Sequence, residues 1–246
     1  MSYVTNSKLG DMGRLGNQFL QIATTIGYGI RNDKTPVFPE SWKYKEFIDL
    51  EYKDILTDST VSEAWLRYTE LPYKTGNVDT HGHFLSTKYF NTEEKEVLNA
   101  IKLKDKHSQL VDKLSINIKN KCSIHVRRGD YLLPEQMNCQ GVMGMDYYNK
   151  AIELMPKDTE FAVFSDDITW CKENFIGGKY TFIEGNEDII DLFLMSKCSS
   201  NIISNSTFSW WSAYLNDKAN KVIAPIQWFR ATKGWEDLYK QNWITI

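Results

Sequence analysis

Between Cys122 and Pro225 the sequence alternates short apolar, β-branched runs with longer amphipathic stretches, and few folds accept that pattern. CSIHV (122–126), FAVFS (161–165), YTFIE (180–184), NIIS (201–204) and KVIAP (221–225) read as strands. DYYNKAIELM (146–155), DITWCKENF (167–175), NEDIIDLFLMSKC (186–198) and NSTFSWWSAYL (205–215) read as helices. The first of them has Asp146 as its N-cap and Pro156 as its stop. The strands are almost wholly apolar, as expected when helices cover both faces of a sheet. Together they predict a parallel, doubly wound α/β sheet.

The first half is less regular. YVTNS (3–7) and TPVFP (35–39) read as strands, with a helix from Gln18 to Arg31 between them. NTEEKEVLNAIKL (91–103) reads as a helix, and another lies within 106–120. Residues 42–80 give no clear period. The polar break before Cys122 sets a boundary at 118, giving domains 1–118 and 119–246. The closing WEDLYKQNWITI is expected to cross back to the first domain.

Bulk properties narrow the function classes. A chain of 246 residues with 42% apolar side chains can bury a sizeable core, as one large or two small domains. A net charge of -3 argues against nucleic-acid binding by phosphate neutralisation. The longest apolar runs, such as IIDLFLM, fall far short of the ~20 residues of a membrane span. MSYVTNSKLGDMG lacks the basic-then-apolar order of a signal peptide. Cys122, Cys139, Cys171 and Cys198 form no CxxC, so buried free thiols are expected rather than zinc or disulfides. The eight tryptophans suit an ordinary core better than a sugar-stacking surface.

In open parallel sheets, ligands bind beyond the carboxyl ends of the strands. The unusual residues of the second half fall there: Arg127 and Arg128, then Ser165, Asp166 and Asp167, then Glu184, then Asn205, Ser206 and Thr207. Arginine is a planar, permanently charged fork that matches phosphate oxygens in pairs. A helix beginning near Asn205 adds backbone N–H groups and a positive dipole end. Arginines and a helix start on neighbouring strand ends would grip a diphosphate. Asp166 or Asp167 could accept hydrogen bonds from guanine.

Blander readings compete. Arg128 and Asp130 could form a loop salt bridge. RGD is a chance tripeptide after a buried strand rather than an adhesion signal. NST (205–207) is formally a glycosylation sequon, but it coincides with the deduced anion site. His81 and His83 form an HxH pair with no further ligand at fitting spacing, so a structural role is expected. GDMGRLG has glycines at 10, 13 and 16, which is neither GxGxxG nor a P-loop. No D-x-D occurs, so arginines and a helix terminus would stabilise leaving-group charge in place of a metal.

These residues resemble one family. HVRRGDY (125–131) is similar to the H-x-R-R-G-D-Y signature of the α-1,2-fucosyltransferases, glycosyltransferase family 11. GRLGNQF (13–19) resembles the family's N-terminal glycine loop, and GHFLSTKYF (82–90) its G-Y-F-Q-S-E-K-Y-F. FSDD, MSKC and NSTFSWWSAYL match the C-terminal block, and NWITI (242–246) the closing segment. The resemblance covers nearly the whole chain.

It implies a GT-B-type fold, two Rossmann-like domains facing a cleft. The C-terminal domain would bind GDP-fucose and the N-terminal domain a glycan acceptor. Transfer would invert the anomeric centre, with no metal and no cofactor. Arg127 would hold the β-phosphate, Arg128 the loop or the same diphosphate, and Ser206 and Thr207 phosphate oxygens. His125 and one of Asp166 or Asp167 would address guanine. Asn17, beside Gly16, would reach the donor. Related α-1,6 enzymes carry a Glu ten residues after the motif histidine, which makes Glu135 the base candidate; Asp130 is nearer the arginines and reads as structural. The chain departs from the family in its shorter first half and in His83, where Tyr or Trp is common. Both departures put acceptor and linkage in doubt. A bacterial or viral cytoplasmic enzyme is expected, unless the chain is trimmed of a membrane anchor. The alternatives are a transferase using another nucleotide-activated sugar and a non-catalytic glycan-binding module.

Overall fold

The computed structural model describes residues 1–64, 67–230 and 235–246. Two compact units divide them. The first comprises Met1–Ser108 and a short return ending at Tyr239; the second begins at Gln109 and takes in Lys240–Ile246. The division thus falls at 108/109 rather than at 118, and the expected returning tail is split between the units after Tyr239.

The first unit opens with β1 (Tyr3–Thr5) and α1 (Leu15–Arg31). β2 (Thr35–Pro36), β3 (Ser59–Ser62) and β4 (Val78–His81) follow. All four strands are parallel, in the order β2-β1-β4-β3. Val4, Val61 and Val78 bury one sheet face against Tyr28 of α1. α1 starts three residues before the expected Gln18, directly after the extended backbone of Arg14. The expected strand at 35–39 shortens to two residues, and α2 (Glu94–Ala100) is shorter than the expected 91–103 because a 3-10 turn occupies Asn91–Glu93. α3 (Asp105–Ser115) ends before the expected polar break.

The second unit holds β5 (Cys122–Val126), α4 (Pro134–Cys139), α5 (Met145–Glu153), β6 (Phe161–Ser165), α6 (Ile168–Asn174), β7 (Tyr180–Phe182) and α7 (Asp188–Met195). β8 (Ser200–Ile202), α8 (Thr207–Tyr214), β9 (Val222–Ala224) and β10 (Ile244–Thr245) complete it. Its sheet is parallel with the order β10-β9-β8-β5-β6-β7. The chain builds outward from β5 to β7, then crosses to β8 on the other side of β5. That reversal between β5 and β8 is the topological switch point, where ligands of such sheets lie.

β5 is buried throughout, and Ile124, Val126, Phe161, Val163, Ile202 and Ile223 form its core. Each such side chain contributes about 1.5–3 kcal/mol by leaving water. Trp210, Trp211 and Trp228 are fully buried, in line with the core reading of the tryptophans. Two expectations need correction. Gly144, not Asp146, is the N-cap of α5; Asp146 sits in its first turn, where a carboxylate still suits the helix dipole. Cys122, Cys171 and Cys198 are buried free thiols, but Cys139 is exposed at the end of α4. Among the described residues no helix is long and apolar enough to cross a membrane.

Candidate active site

Strand pairing decides which loops meet. β5 runs in register with β6 on one side, Val126 opposite Ser165, and with β8 on the other, Ile124 opposite Ile202. The exits of these three strands are therefore neighbours. They carry Arg127–Arg128, Asp166–Asp167 and Ser204–Thr207.

Arg127 is the most enclosed of the charged groups, its side chain 11% exposed. Its Nη1 meets Asp166 Oδ2 at 2.8 Å, and its Nη2 pairs with Asp130. The guanidinium also lies 5.1 Å from the Tyr131 ring centre. Two of its five N–H groups are thus used to fix the fork. Arg128 donates from Nε to Asp167 Oδ2 at 3.0 Å and stacks 4.1 Å from the Trp170 ring centre. Its backbone N–H donates to Asp166 Oδ1 at 2.9 Å. Asp130 therefore pairs with Arg127, and not with Arg128 as the salt-bridge reading has it.

Gly129 explains the middle of HVRRGDY. A Cβ at this position would overlap the Asp166 carboxylate, so only glycine lets that carboxylate approach. The chain then turns through a 3-10 segment, Gly129–Leu132, and Tyr131 donates its hydroxyl to the Asn205 carbonyl at 3.2 Å. Pro134 occupies the first turn of α4, where its missing N–H costs nothing. Glu135 follows on the surface, and no described residue pairs with it.

His125 does not project from the sheet. It is 5% exposed, with Nδ1 2.9 Å from Ser204 Oγ and its ring 5.3 Å from that of Phe208. Burial, reinforced by the Arg127 charge, pushes its pKa down to about 3, so the ring stays neutral. It ties β5 to the loop after β8. Asp167 caps α6, accepting the Trp170 N–H at 3.2 Å while holding Arg128.

Ser206 is the N-cap residue of α8, and its own side chain makes no capping hydrogen bond. Thr207 is its first residue. Asn205 is fully buried, and its Nδ2 donates to the carbonyls of Gln140, Gly141 and Trp228 at 2.8, 3.2 and 3.2 Å. The formal sequon is therefore closed to a glycan in the folded chain. Tyr131, Trp170 and Ser204 belong to this constellation although the sequence reading did not single them out. An aromatic one to three residues after an aspartate, or a serine at a strand exit, is too common a signal to find them.

In the first unit, Gly16 is buried and Asn17 half-buried in the first turn of α1. Gln18 Nε2 and Gln21 Nε2 donate to the carbonyls of Gly13 and Met12 at 3.0 and 3.1 Å, pinning the glycine loop over that turn. Gly13 has φ +76° and lies so close to Asn17 that a side chain would not fit. His81 bonds Asp79, and among the described residues no group of three His, Cys, Asp or Glu side chains could hold a metal ion.

Residues 16–246 match the family described as Glycosyl transferase family 11. The chain belongs to this family. This family 11 protein is 41% identical to the O-antigen biosynthesis glycosyltransferase WbnK of Escherichia coli over 52% of its own length and 45% of that protein. It is 35% identical to an Escherichia coli alpha-1,2-colitosyltransferase, covering 70% of this chain and 63% of the relative. It is 25% identical to galactoside alpha-(1,2)-fucosyltransferase 1 of Bos taurus over 82% of this chain and 64% of that one. The match thus spans less than two thirds of each of these relatives. Among solved structures, fucosyltransferase NodZ from Bradyrhizobium aligns with a TM-score of 0.58 at 13% identity, over 90% of this chain and 94% of that one. FUT1 of Arabidopsis thaliana, as its R284K mutant in complex with GDP, aligns with a TM-score of 0.55 at 11% identity, over 91% and 70%. The family 11 chain therefore has the expected α/β, GT-B-type fold, with two Rossmann-like units.

Proposed function

We propose that this family 11 chain moves fucose from GDP-fucose to a hydroxyl of a galactose-like residue in a glycan, forming an α-1,2 linkage with inversion and without a metal ion. One observation carries the reading: Arg127 and Arg128 leave β5 at the switch point, beside the strand exit that opens α8. As the bond between sugar and diphosphate breaks, charge grows on the phosphate oxygens. Preorganised donors there favour the transition state over the ground state. Asp130 and Asp166 hold the Arg127 fork in place, leaving its other N–H groups for the β-phosphate. Arg128, Ser206 and Thr207 address the remaining phosphate oxygens. His125 supports the site from within through Ser204, Asp166 and Asp167 hold the arginines in place, and Gly16 and Asn17 keep the substrate role that the family resemblance gives them.

Colitose is the second reading for the transferred sugar, favoured by the relative that is an alpha-1,2-colitosyltransferase. Colitose is fucose without its 3-hydroxyl, so the two donors differ by one hydrogen-bonding group.

The test has two arms. Thermal-shift titration with GDP, UDP, CMP and ADP should give a selective rise with GDP, because a ligand bound only by the folded state raises apparent stability. Transfer from GDP-fucose and GDP-colitose to galactosides, followed by linkage analysis, should give an α-1,2 product. A selective response to UDP would remove the guanine assignment. Glycan binding without any transfer or GDP response would favour a binding module.

A further inference from the structure

The exit of β9 carries a third arginine, and the second unit builds it into the loops around the start of α8. β9 lies beside β8 in the parallel sheet, Ile223 opposite Ile202, so both strands release their chains on the same edge. Ligands of such sheets lie on that edge. Six residues past β9, Trp228 and Phe229 are buried and Arg230, directly after them, is exposed.

Asn205 gathers the segments that leave this edge. It stands between β8 and α8 and is wholly buried. Its Nδ2 donates to the carbonyls of Gln140 and Gly141, which follow α4, and to that of Trp228, which follows β9. Its Oδ1 has no partner among the described residues, so the donor side alone orients the amide. Its own backbone carbonyl accepts the Tyr131 hydroxyl from the loop after β5. One buried side chain and its peptide group thus tie three segments to the residue that precedes Ser206 and Thr207.

Arg230 is fixed to the same cluster along its length. Its backbone N–H donates to the Cys139 carbonyl at 2.9 Å. Its side chain lies across Gly141: a Cβ added there would stand 2.6 Å from Arg230 Nε and 3.1 Å from its Cδ. Gly141 also has φ +72°, so conformation and close approach both require glycine. Arg127 and Arg128 are paired with carboxylates, whereas no carboxylate of the described residues pairs with Arg230. Its stem is packed while its charge is left for a ligand. In the order β9-β8-β5, Arg127 and Arg128 stand on one side of the chain that opens α8, and Arg230 on the other.

We propose that Arg230 is a further phosphate-binding residue, closing on the diphosphate from the β9 side while Arg127 and Arg128 hold it from the β5 side. Asn205 is the positioning residue that sets the loop carrying it. This deepens the transferase reading above and rests on its phosphate site. A guanidinium on each flank would neutralise the charge that gathers on the diphosphate as the sugar leaves.

The experiment uses the full chain, titrated calorimetrically with GDP and then with inorganic pyrophosphate as the competitor. Arg230→Gln should weaken both ligands about tenfold or more, the loss expected for a charge-assisted hydrogen bond. The melting temperature of the unliganded chain should not change, because the side chain is exposed. Arg230→Lys keeps the charge and should recover part of the affinity. Asn205→Ala should weaken GDP as well, and adding Arg230→Gln to it should cost little more, the mark of two residues acting through one another. Additive losses would overturn the positioning role of Asn205. Equal GDP affinity in the wild type and Arg230→Gln would make Arg230 a solvated surface residue and leave the phosphate site itself standing. Weaker GDP with unchanged pyrophosphate would also overturn the assignment, since the phosphates would not be what Arg230 holds. If the wild-type chain binds neither GDP nor pyrophosphate, the phosphate site fails and the Arg230 assignment falls with it.

Discussion

Arg127 Nη1 and Asp166 Oδ2 stand 2.8 Å apart, joining the exits of β5 and β6. The same carboxylate accepts the backbone N–H of Arg128, so one side chain sets both the fork and the main chain that carries it. A second carboxylate, Asp130, closes on the other arm of the fork. The two arginines that follow a buried strand are thus a charge cluster assembled before any ligand arrives.

Arg127→Lys tests that cluster. Lysine keeps the charge but cannot reach two carboxylates and a phosphate at once. Loss of one preorganised donor is worth about 2.7–4 kcal/mol of barrier, roughly 10² to 10³ in kcat. Steady-state kinetics on a variant with an unchanged melting temperature measures it. Turnover like that of the wild type would remove the proposed phosphate clamp.

Gly129→Ala tests the close approach of Asp166. The added methyl would overlap the carboxylate, which must swing away and release both arginines. Overpacking of this kind costs about 1–3 kcal/mol. Both the melting temperature and kcat should fall. If neither moves, Asp166 is a mobile neighbour and not the organiser of the loop.

The legible parts of the fold were those that bury long apolar runs. CSIHV and FAVFS coincide with β5 and β6 residue for residue because both are almost fully enclosed. β10 left no such trace: Ile244 and Thr245 are both exposed at a sheet edge, so burial never selected their pattern. β3 and β4 hid for a different reason. STVS and VDTH place polar groups on the face opposite α1, and in β4 those groups, Asp79 and His81, bond each other. In the site, residue types and strand ends were readable, but the pairings were not. Asp166 and Asp167 lie 38 and 39 residues from the groups of Arg128 they bind, and only the register of β5 on β6 brings them together. The guanine role inferred for these carboxylates came from chemistry alone, and in the folded chain both already hold arginines.

His125 gives a prediction for acid. Its folded pKa is pushed down to about 3 by burial and by Arg127, against an ordinary 6.5. Below 6.5 the unfolded chain takes up a proton that the folded chain refuses, so this group's contribution to stability falls as pH drops toward 3. The slope approaches about 1.4 kcal/mol per pH unit. Urea unfolding of the wild type and His125→Asn at pH 7, 6 and 5 should show a shallower acid slope in the variant, whatever its stability at neutral pH. Equal slopes would mean that His125 charges in the folded state.

Asp191 acts in the opposite sense over an overlapping window. Burial raises its pKa to about 6 from 3.8, with Asp188 adding to the rise and the hydrogen bond from Asn186 opposing it. The folded chain thus holds this proton more tightly than the unfolded one. The favourable contribution is complete below 3.8 and is lost as pH rises through 6. Ionised Asp191 at pH 8 therefore costs on the order of 3 kcal/mol. Asp191→Asn removes the charge and keeps an oxygen for Asn186 Nδ2, which donates to Asp191 Oδ1 at 2.9 Å. The variant should be more stable than the wild type in urea at pH 8, by about 2–3 kcal/mol, and the gap should close toward pH 4. Measured in that background, the His125 slope is free of its counterweight. Equal stability at pH 8 would mean that water reaches the carboxylate and that α7 begins closer to the surface than its packing indicates.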